Sequence, residues 1–391
     1  MSGADAVDAA VGTGAVGTGA VGGSGSAGPG TGAAAGGKCG SGSGGAPMRI
    51  GLLGASRIAE LAITEASRET GDIRAAVAAR DLERARVYAE GHGYERICGS
   101  YQELVADDSL DLIYIGLPNG LHAEWTVRAL EAGRSVLVEK PFASNLAEFD
   151  AVAARMDGAA GWAWEAFHYA DHPAVHRLVE IVRSGEIGEI RSADVRMDMP
   201  APPASDPRWS YDLAGGALMD VGCYALHALL LLGDALGERP ELISAEADPY
   251  AGDARVDATV RARLMLGGAP VALHASMNDP WDFGLRVTGG LGEAILPNFV
   301  KPQEDDRLIV RTWRGAGGTG AAGDAHVAER VERMGAVSSY VHQLRRVRAA
   351  LRSGERSEEL MDRSRRTMAL IDEVYAAIGM PLRPGRFGAV G

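Results

Sequence analysis

Cysteine is scarce in this chain. Cys39, Cys98 and Cys223 are the only three in 391 residues, they are widely spaced, and no CxxC pair occurs. An odd count without paired spacing excludes a disulfide framework and a thiolate metal cage. It fits reduced thiols in a cytoplasm, and no metal site is expected. Basic charge is also in short supply. Lys and Arg total 39 against 52 Asp and Glu, a net charge of -13. Nucleic acids and anionic membrane surfaces attract basic patches, so neither is the expected partner. No apolar run of about 18 residues is free of charge and glycine, and no transmembrane helix is expected.

Large side chains are missing from residues 1–47, which hold 17 of the 53 glycines and repeat Ala-Val-Gly-Thr-Gly. Such a segment has little to bury against the entropy of ordering, so a disordered tail is expected. It lacks the basic start and leucine-rich centre of a signal peptide. The first strand begins at Arg49 with no spacer after Met48, which makes Met48 a candidate start. The remainder, within a chain that is 46% hydrophobic and 23% charged, is long enough for two domains with separate cores.

The first half alternates strand and helix. Arg49 to Leu53 runs into Gly54-Ala55-Ser56-Arg57-Ile58-Ala59 and a helical pattern to about Arg68. A strand, a tight glycine turn and a helix make a turn whose N–H groups can face a pyrophosphate. GxGxxG is degraded here to Gly54-x-Ser56-x-x-Ala59, so an ordinary glycine turn is the competing reading. The second strand, Ile73 to Ala79, ends at Arg80-Asp81. Arg80 suits a 2'-phosphate and hence NADP, the preferred cofactor, while Asp81 keeps NAD open. The strand Leu112 to Gly116 feeds Leu117-Pro118-Asn119-Gly120-Leu121-His122. Leu117, Pro118 and Asn119 are candidate contacts to the nicotinamide end, and His122 is either a further contact or a capping histidine. The strand Ser135 to Val138 then ends on Glu139-Lys140-Pro141, which sets one cation at the sheet edge where ligands bind in such folds.

The second half reads differently. From Val256 to Leu266, apolar residues alternate with polar ones, the signature of a strand with one buried face. Similar stretches near Ile190 to Met199, Val271 to Met277, Leu285 to Thr288, Glu293 to Leu296 and Leu308 to Arg311 predict a mainly antiparallel sheet. Gly315 to Gly323 reads as a surface loop, and helices are expected near Ser338 to Arg352 and Glu358 to Ile378. Between these lies Gly215-Gly216-Ala217-Leu218-Met219-Asp220-Val221-Gly222-Cys223-Tyr224-Ala225-Leu226-His227. A helix there places Asp220, Tyr224 and His227 on one face, with His227 fitting a core histidine.

In this order the motifs GLLGASRIA, GLPNGLH, VEKPFA, EAFHY at Glu165 to Tyr169, GEIGEIR and GGALMDVGCY at Gly215 to Tyr224 resemble the Gfo/Idh/MocA family. The resemblance spans roughly Arg49 to Leu382. The pairing of Asp220, Gly222 and Tyr224 with EAFHY is similar to the branch of glucose-fructose oxidoreductase, NADP xylose dehydrogenase and dihydrodiol dehydrogenase. The resemblance implies an α/β chain with a Rossmann domain at 48–166. A second α/β domain with a large, mainly antiparallel open sheet follows at 167–391, forming homodimers or homotetramers through that sheet. It also implies hydride transfer between NAD(P) and a sugar, polyol or cyclic diol. A dinucleotide-binding regulator that kept the fold without the chemistry is the alternative.

Alcohol oxidation needs a base for the O–H proton, and a free phenol of pKa about 10 is a poor one. Lowering it by about three units takes about 4 kcal/mol, roughly what an ammonium about 4 Å away supplies at an effective dielectric near 20. Tyr224 is therefore the expected acid/base, Lys140 the cation that tunes it and contacts cofactor and substrate, and Asp220 the orienting carboxylate. An exchange of the Tyr224 and Lys140 roles stays open. Glu139 is expected beside the cofactor. Glu165, His168, Tyr169, Arg208 and Trp209 are candidate substrate contacts, since an aromatic beside polar groups suits a sugar ring.

Overall fold

Six short apolar runs form one parallel sheet. They are β1 (Arg49–Leu53), β2 (Ile73–Ala78), β3 (Arg96–Ile97), β4 (Leu112–Ile115), β5 (Val136–Val138) and β6 (Ala163–Glu165), in the order β3-β2-β1-β4-β5-β6. The computed structural model describes residues 46–313 and 326–387. The expected tail, up to residue 45, and the Gly315 to Gly323 loop lie outside the described residues. Every residue of β4 and β5 is buried because helices cover both faces, which is why these strands read as continuous apolar runs.

The strand order reverses between β1 and β4, the switch point at which doubly wound sheets open a crevice. Register then lines up the strand ends. Ala78, Leu53, Ile115, Val138 and Glu165 pair in one row across the sheet. The segments that follow them, carrying Arg80, Gly54, Leu117, Lys140 and His168, therefore leave the sheet along a single edge.

The second sheet has eight strands: β7 (Ile190–Asp198), β8 (Glu241–Tyr250), β9 (Asp253–Leu266), β10 (Ala269–Ser276), β11 (Leu285–Gly289), β12 (Gly292–Leu296), β13 (Arg307–Trp313) and β14 (His326–Arg333). Their order is β14-β13-β12-β11-β7-β10-β9-β8, antiparallel throughout except between β7 and β10. The expected alternation on β9 holds from Val260 to Leu266, but Asp257 and Thr259 are buried as well. Each has a polar partner: Asp257 meets Arg383 and the Leu218 N–H, and Thr259 bonds Ser276 at 2.9 Å.

The stretch Tyr211–Leu236 is long and apolar enough to cross a membrane, yet it is buried within the protein. It combines a π-helical turn, Leu218–Gly222, with the helix Cys223–Leu236, whose Leu226 and Leu229 are fully buried in the cluster that includes Val256, Ala258 and Val260. Near its end the chain returns to the first sheet. The helix Ser339–Ser353 places Tyr340, Leu344 and Val347 in one cluster with Ile50, Leu52 and Leu112.

Candidate active site

The turn after β1 is built for close approach. Gly54 has φ +96°, and a Cβ there would stand 2.8 Å from the Gly116 oxygen, so only glycine lets the two strand ends converge. Ser56 precedes the helical run that starts at Arg57 without capping it, and its Oγ is buried with no hydrogen-bond partner among the described residues. The first-turn N–H groups and this hydroxyl are what a pyrophosphate requires. The residues present thus fit a dinucleotide. Ala55 accepts two bonds from Arg84, at 2.7 and 3.0 Å, which pin the turn from the next helix. Ile58 packs against the core cluster beneath. Arg57 is 85% exposed in its side chain, 3.7 Å from Asp206. At the end of β2, Asp81 caps the helix Leu82–His92 through the Glu83 N–H at 2.9 Å, which leaves the exposed Arg80 as the charged group there.

Two residues expected at the cofactor also bond the scaffold. His122 is fully buried, its ring nitrogens 2.7 Å from the Pro141 oxygen and 2.8 Å from the Leu117 oxygen, so it ties the β4 turn to the segment after Lys140. The Glu139 carboxyl is buried against the Tyr114 hydroxyl, and burial raises its pKa. Pro118 opens the following turn, and the Asn119 amide donates to the Ala214 oxygen at 3.0 Å, joining that turn to the segment before Gly215.

Lys140 and Asp220 meet from opposite halves of the chain. Lys140 Nζ donates to the Asp220 main-chain oxygen at 2.6 Å and lies 3.3 Å from Oδ1, while 5.0 Å separates it from the centroid of the Tyr224 ring. Burial opposes the ammonium, but Asp220, Cys223 and Glu139 together raise its pKa. For Tyr224 the balance differs from the sequence expectation: burial first, then Tyr340 and Glu139, push its phenol well above the ordinary value. The lysine charge is matched to Asp220, over the ring face rather than in a free contact with the phenol oxygen. Arg208 extends the network, 3.6 Å from Asp220 and 2.9 Å from Asp206.

Tyr224 bonds His168 Nε2 at 3.3 Å. His168 is buried, stacked on Tyr340 at 3.8 Å, with Nδ1 2.8 Å from Ser339 Oγ. The other candidates are less open. Tyr169 bonds His227 at 2.7 Å, and His227 stacks on Phe167, a core histidine as expected. Trp209 is buried, its ring 4.2 Å from that of Tyr250 and its N–H bonded to the Pro202 oxygen at 3.1 Å. Glu165 accepts the Phe142 N–H at 2.7 Å, and burial pushes its carboxyl up to about 7. Sequence reasoning missed Arg84, Asp206, Gln303, Ser339 and Tyr340. Only Asp206, two residues before Arg208, had a local signal.

Comparison with known proteins agrees with this fold. Residues 48–164 match the family described as "Oxidoreductase family, NAD-binding Rossmann fold", and residues 175–295 match the GFO/IDH/MocA C-terminal domain. D-xylose 1-dehydrogenase (NADP(+)) 2 of Haloferax volcanii is 33% identical over 332 residues, 84% of this chain and 96% of that protein. The chain belongs to the Gfo/Idh/MocA family. Within that family it is also similar to trans-1,2-dihydrobenzene-1,2-diol dehydrogenase of Xenopus laevis, 32% identical over 51% of this chain and 59% of that one. Among solved structures, the 3-ketoreductase KijD10 of Actinomadura kijaniata, in complex with NADP and TDP-benzene, superposes with a TM-score of 0.75. It is 28% identical and covers 85% of this chain and 98% of its own. As a Gfo/Idh/MocA protein the chain is an α/β oxidoreductase with a nicotinamide-dinucleotide Rossmann fold.

Proposed function

We propose that this protein is an NADP-dependent oxidoreductase that acts on a CH–OH carbon of a sugar, polyol or cyclic diol, or on the matching carbonyl. The observation that carries the reading is the convergence of Lys140, Asp220 and Tyr224 at the strand-end row of the first sheet. The names of the xylose dehydrogenase, the diol dehydrogenase and the ketoreductase support a polyhydroxy substrate. Gly54 to Ile58 would hold the dinucleotide phosphates, Arg80 the 2'-phosphate, and Leu117 to Asn119 would border the nicotinamide. When bound, NADP supplies the acceptor or donor of hydride.

The protein's own residues handle the proton and the charge. Lys140, fixed by Asp220, places its ammonium beside the substrate oxygen and stabilises negative charge as it develops. Tyr224 exchanges the proton on that oxygen. Arg208 lies within reach of the same carboxylate and borders the substrate. In this reading residues 48–166 bind cofactor, and residues 167–391 form the substrate side and a homo-oligomer interface on the outer face of the second sheet, where Ile243 is 60% exposed. Size-exclusion chromatography with light scattering tests that interface. The cytoplasm is the proposed location.

The deciding experiment is nicotinamide absorbance with NAD and NADP in parallel against aldoses, inositols and cyclic diols, and with ketosugars in the reverse direction. Turnover with NADP supports the reading. Silence across the panel with measurable cofactor binding supports a non-catalytic regulator instead.

A further inference from the structure

A buried phenol held well above its ordinary pKa is a poor base on its own, and Lys140 is bonded to Asp220. The hydrogen-bond chain behind Tyr224 answers this, and its donor directions follow from chemistry. The Ser339 backbone N–H, which can only donate, faces the Gln303 side chain at 3.3 Å, so the Gln303 atom there is Oε1. That oxygen can only accept, so the Ser339 hydroxyl, 3.2 Å away, donates to it. Ser339 Oγ then receives the hydrogen of His168 Nδ1 at 2.8 Å. His168 Nε2 is left as a lone pair, and the Tyr224 O–H, at 3.3 Å, donates to it.

We propose that His168, oriented by Ser339 and Gln303, is the positioning residue that receives the Tyr224 proton during alcohol oxidation, so that Tyr224 relays a proton without persisting as a phenolate. The proposal rests on the oxidoreductase reading above and deepens it. The balance is complete: the substrate C–H leaves as hydride to NADP⁺, its O–H proton passes to the Tyr224 oxygen, and the Tyr224 proton passes to His168 Nε2. The resulting imidazolium keeps its Nδ1–H on Ser339. Carbonyl reduction runs the same transfers in reverse. The charged and titratable groups around His168 are Lys140, Lys301 and His172, with Tyr224 and Tyr340 as ring neighbours. Burial and these cations disfavour the imidazolium, so the resting histidine is neutral.

The test uses the full-length protein in two ways. Nitrogen-15 NMR of labelled histidines, assigned with His168→Gln, should show His168 as the Nδ1–H tautomer without substrate, and Gln303→Leu should disturb that preference. An Nε2–H tautomer in the wild type overturns the proposal whether or not any compound turns over. With an active substrate, His168→Gln should lower oxidative kcat roughly 100-fold at pH 7, with KM and the NADP Kd within about threefold. Its rate should then climb about tenfold per pH unit, because the phenol must now ionise directly. A His168→Gln profile parallel to the wild type, whatever its height, reduces His168 to packing and overturns the proposal. Absence of turnover in the wild type together with the Nδ1–H tautomer counts against the substrate reading, not the relay geometry.

Discussion

Lys140 Nζ lies 2.6 Å from the main-chain oxygen of Asp220 and 3.3 Å from its Oδ1. One residue lies two positions beyond a strand of the nucleotide sheet and the other sits in the π-helical turn that begins the buried helix under the second sheet. The site therefore assembles only when both sheets have formed. The ammonium enters the reaction already aimed, which saves reorganisation at the moment charge develops on the substrate oxygen.

Lys140→Met keeps the chain length and removes the charge. Turnover should fall by about 10²- to 10⁴-fold, the usual range for loss of a group that acts on the transition state. NADP affinity should stay within about threefold, because the phosphate turn at Gly54 to Ile58 is untouched. Steady-state rates and NADPH fluorescence titration measure the two quantities separately. Unchanged turnover would remove Lys140 from the mechanism.

Arg80→Ser removes the exposed cation at the end of β2. A hydrogen-bonded charge contact is worth about 1.5–3 kcal/mol, so kcat/KM for NADP should fall about 10- to 100-fold while that for NAD stays level. Asp81 offers little in exchange, since its Oδ1 caps the next helix. Equal losses with both cofactors would point to another phosphate contact.

The first sheet was legible because each buried strand is a short apolar run stopped by a turn signal, as at Leu53-Gly54 and Ile115 to Pro118. β8 was not. Its residues are mostly exposed and it contains Pro249, as edge strands do, so neither periodicity nor β-propensity marks it. In the site, Lys140, Asp220 and Tyr224 stood out because charged or phenolic residues interrupt apolar patterns. Ser339 did not: it lies 171 residues from His168 and looks like any helix-start serine. Trp209 shows the converse. An aromatic within a polar motif suggests a sugar platform, but its stacking on Tyr250 depends on a strand that comes later in the chain.

Arg383 and Asp257 form an ion pair with both side chains fully buried. Arg383 also donates to the Gly215 oxygen at 2.6 Å, and Asp257 accepts the Leu218 N–H at 2.6 Å, so the pair clasps the turn before Asp220. Arg383→Met should cost about 3–5 kcal/mol in urea unfolding, since it strands a buried carboxylate. Adding Asp257→Asn should recover part of that loss, because the amide oxygen keeps an acceptor for Leu218 without the charge. A double variant as unstable as the sum of the singles would show that the charge is not the cause.

Glu165 links stability to pH. Burial pushes its carboxyl up to about 7, against the lowering effects of Ser364 and the Phe142 N–H. Between the unfolded value of about 4.3 and the folded value the native state binds more protons than the unfolded chain, so stability falls as pH rises through that window. The favourable contribution is complete below the unfolded value and lost once pH passes about 7. Glu165→Gln keeps an oxygen for the Phe142 N–H and removes the titration. The variant should therefore lose less stability than the wild type between about pH 5 and pH 8, with a gain at pH 8 on the order of 3 kcal/mol. Urea midpoints taken across that range would show it. Parallel pH profiles for the two proteins would mean that Glu165 stays ionised in the folded state, and that its partners outweigh its burial.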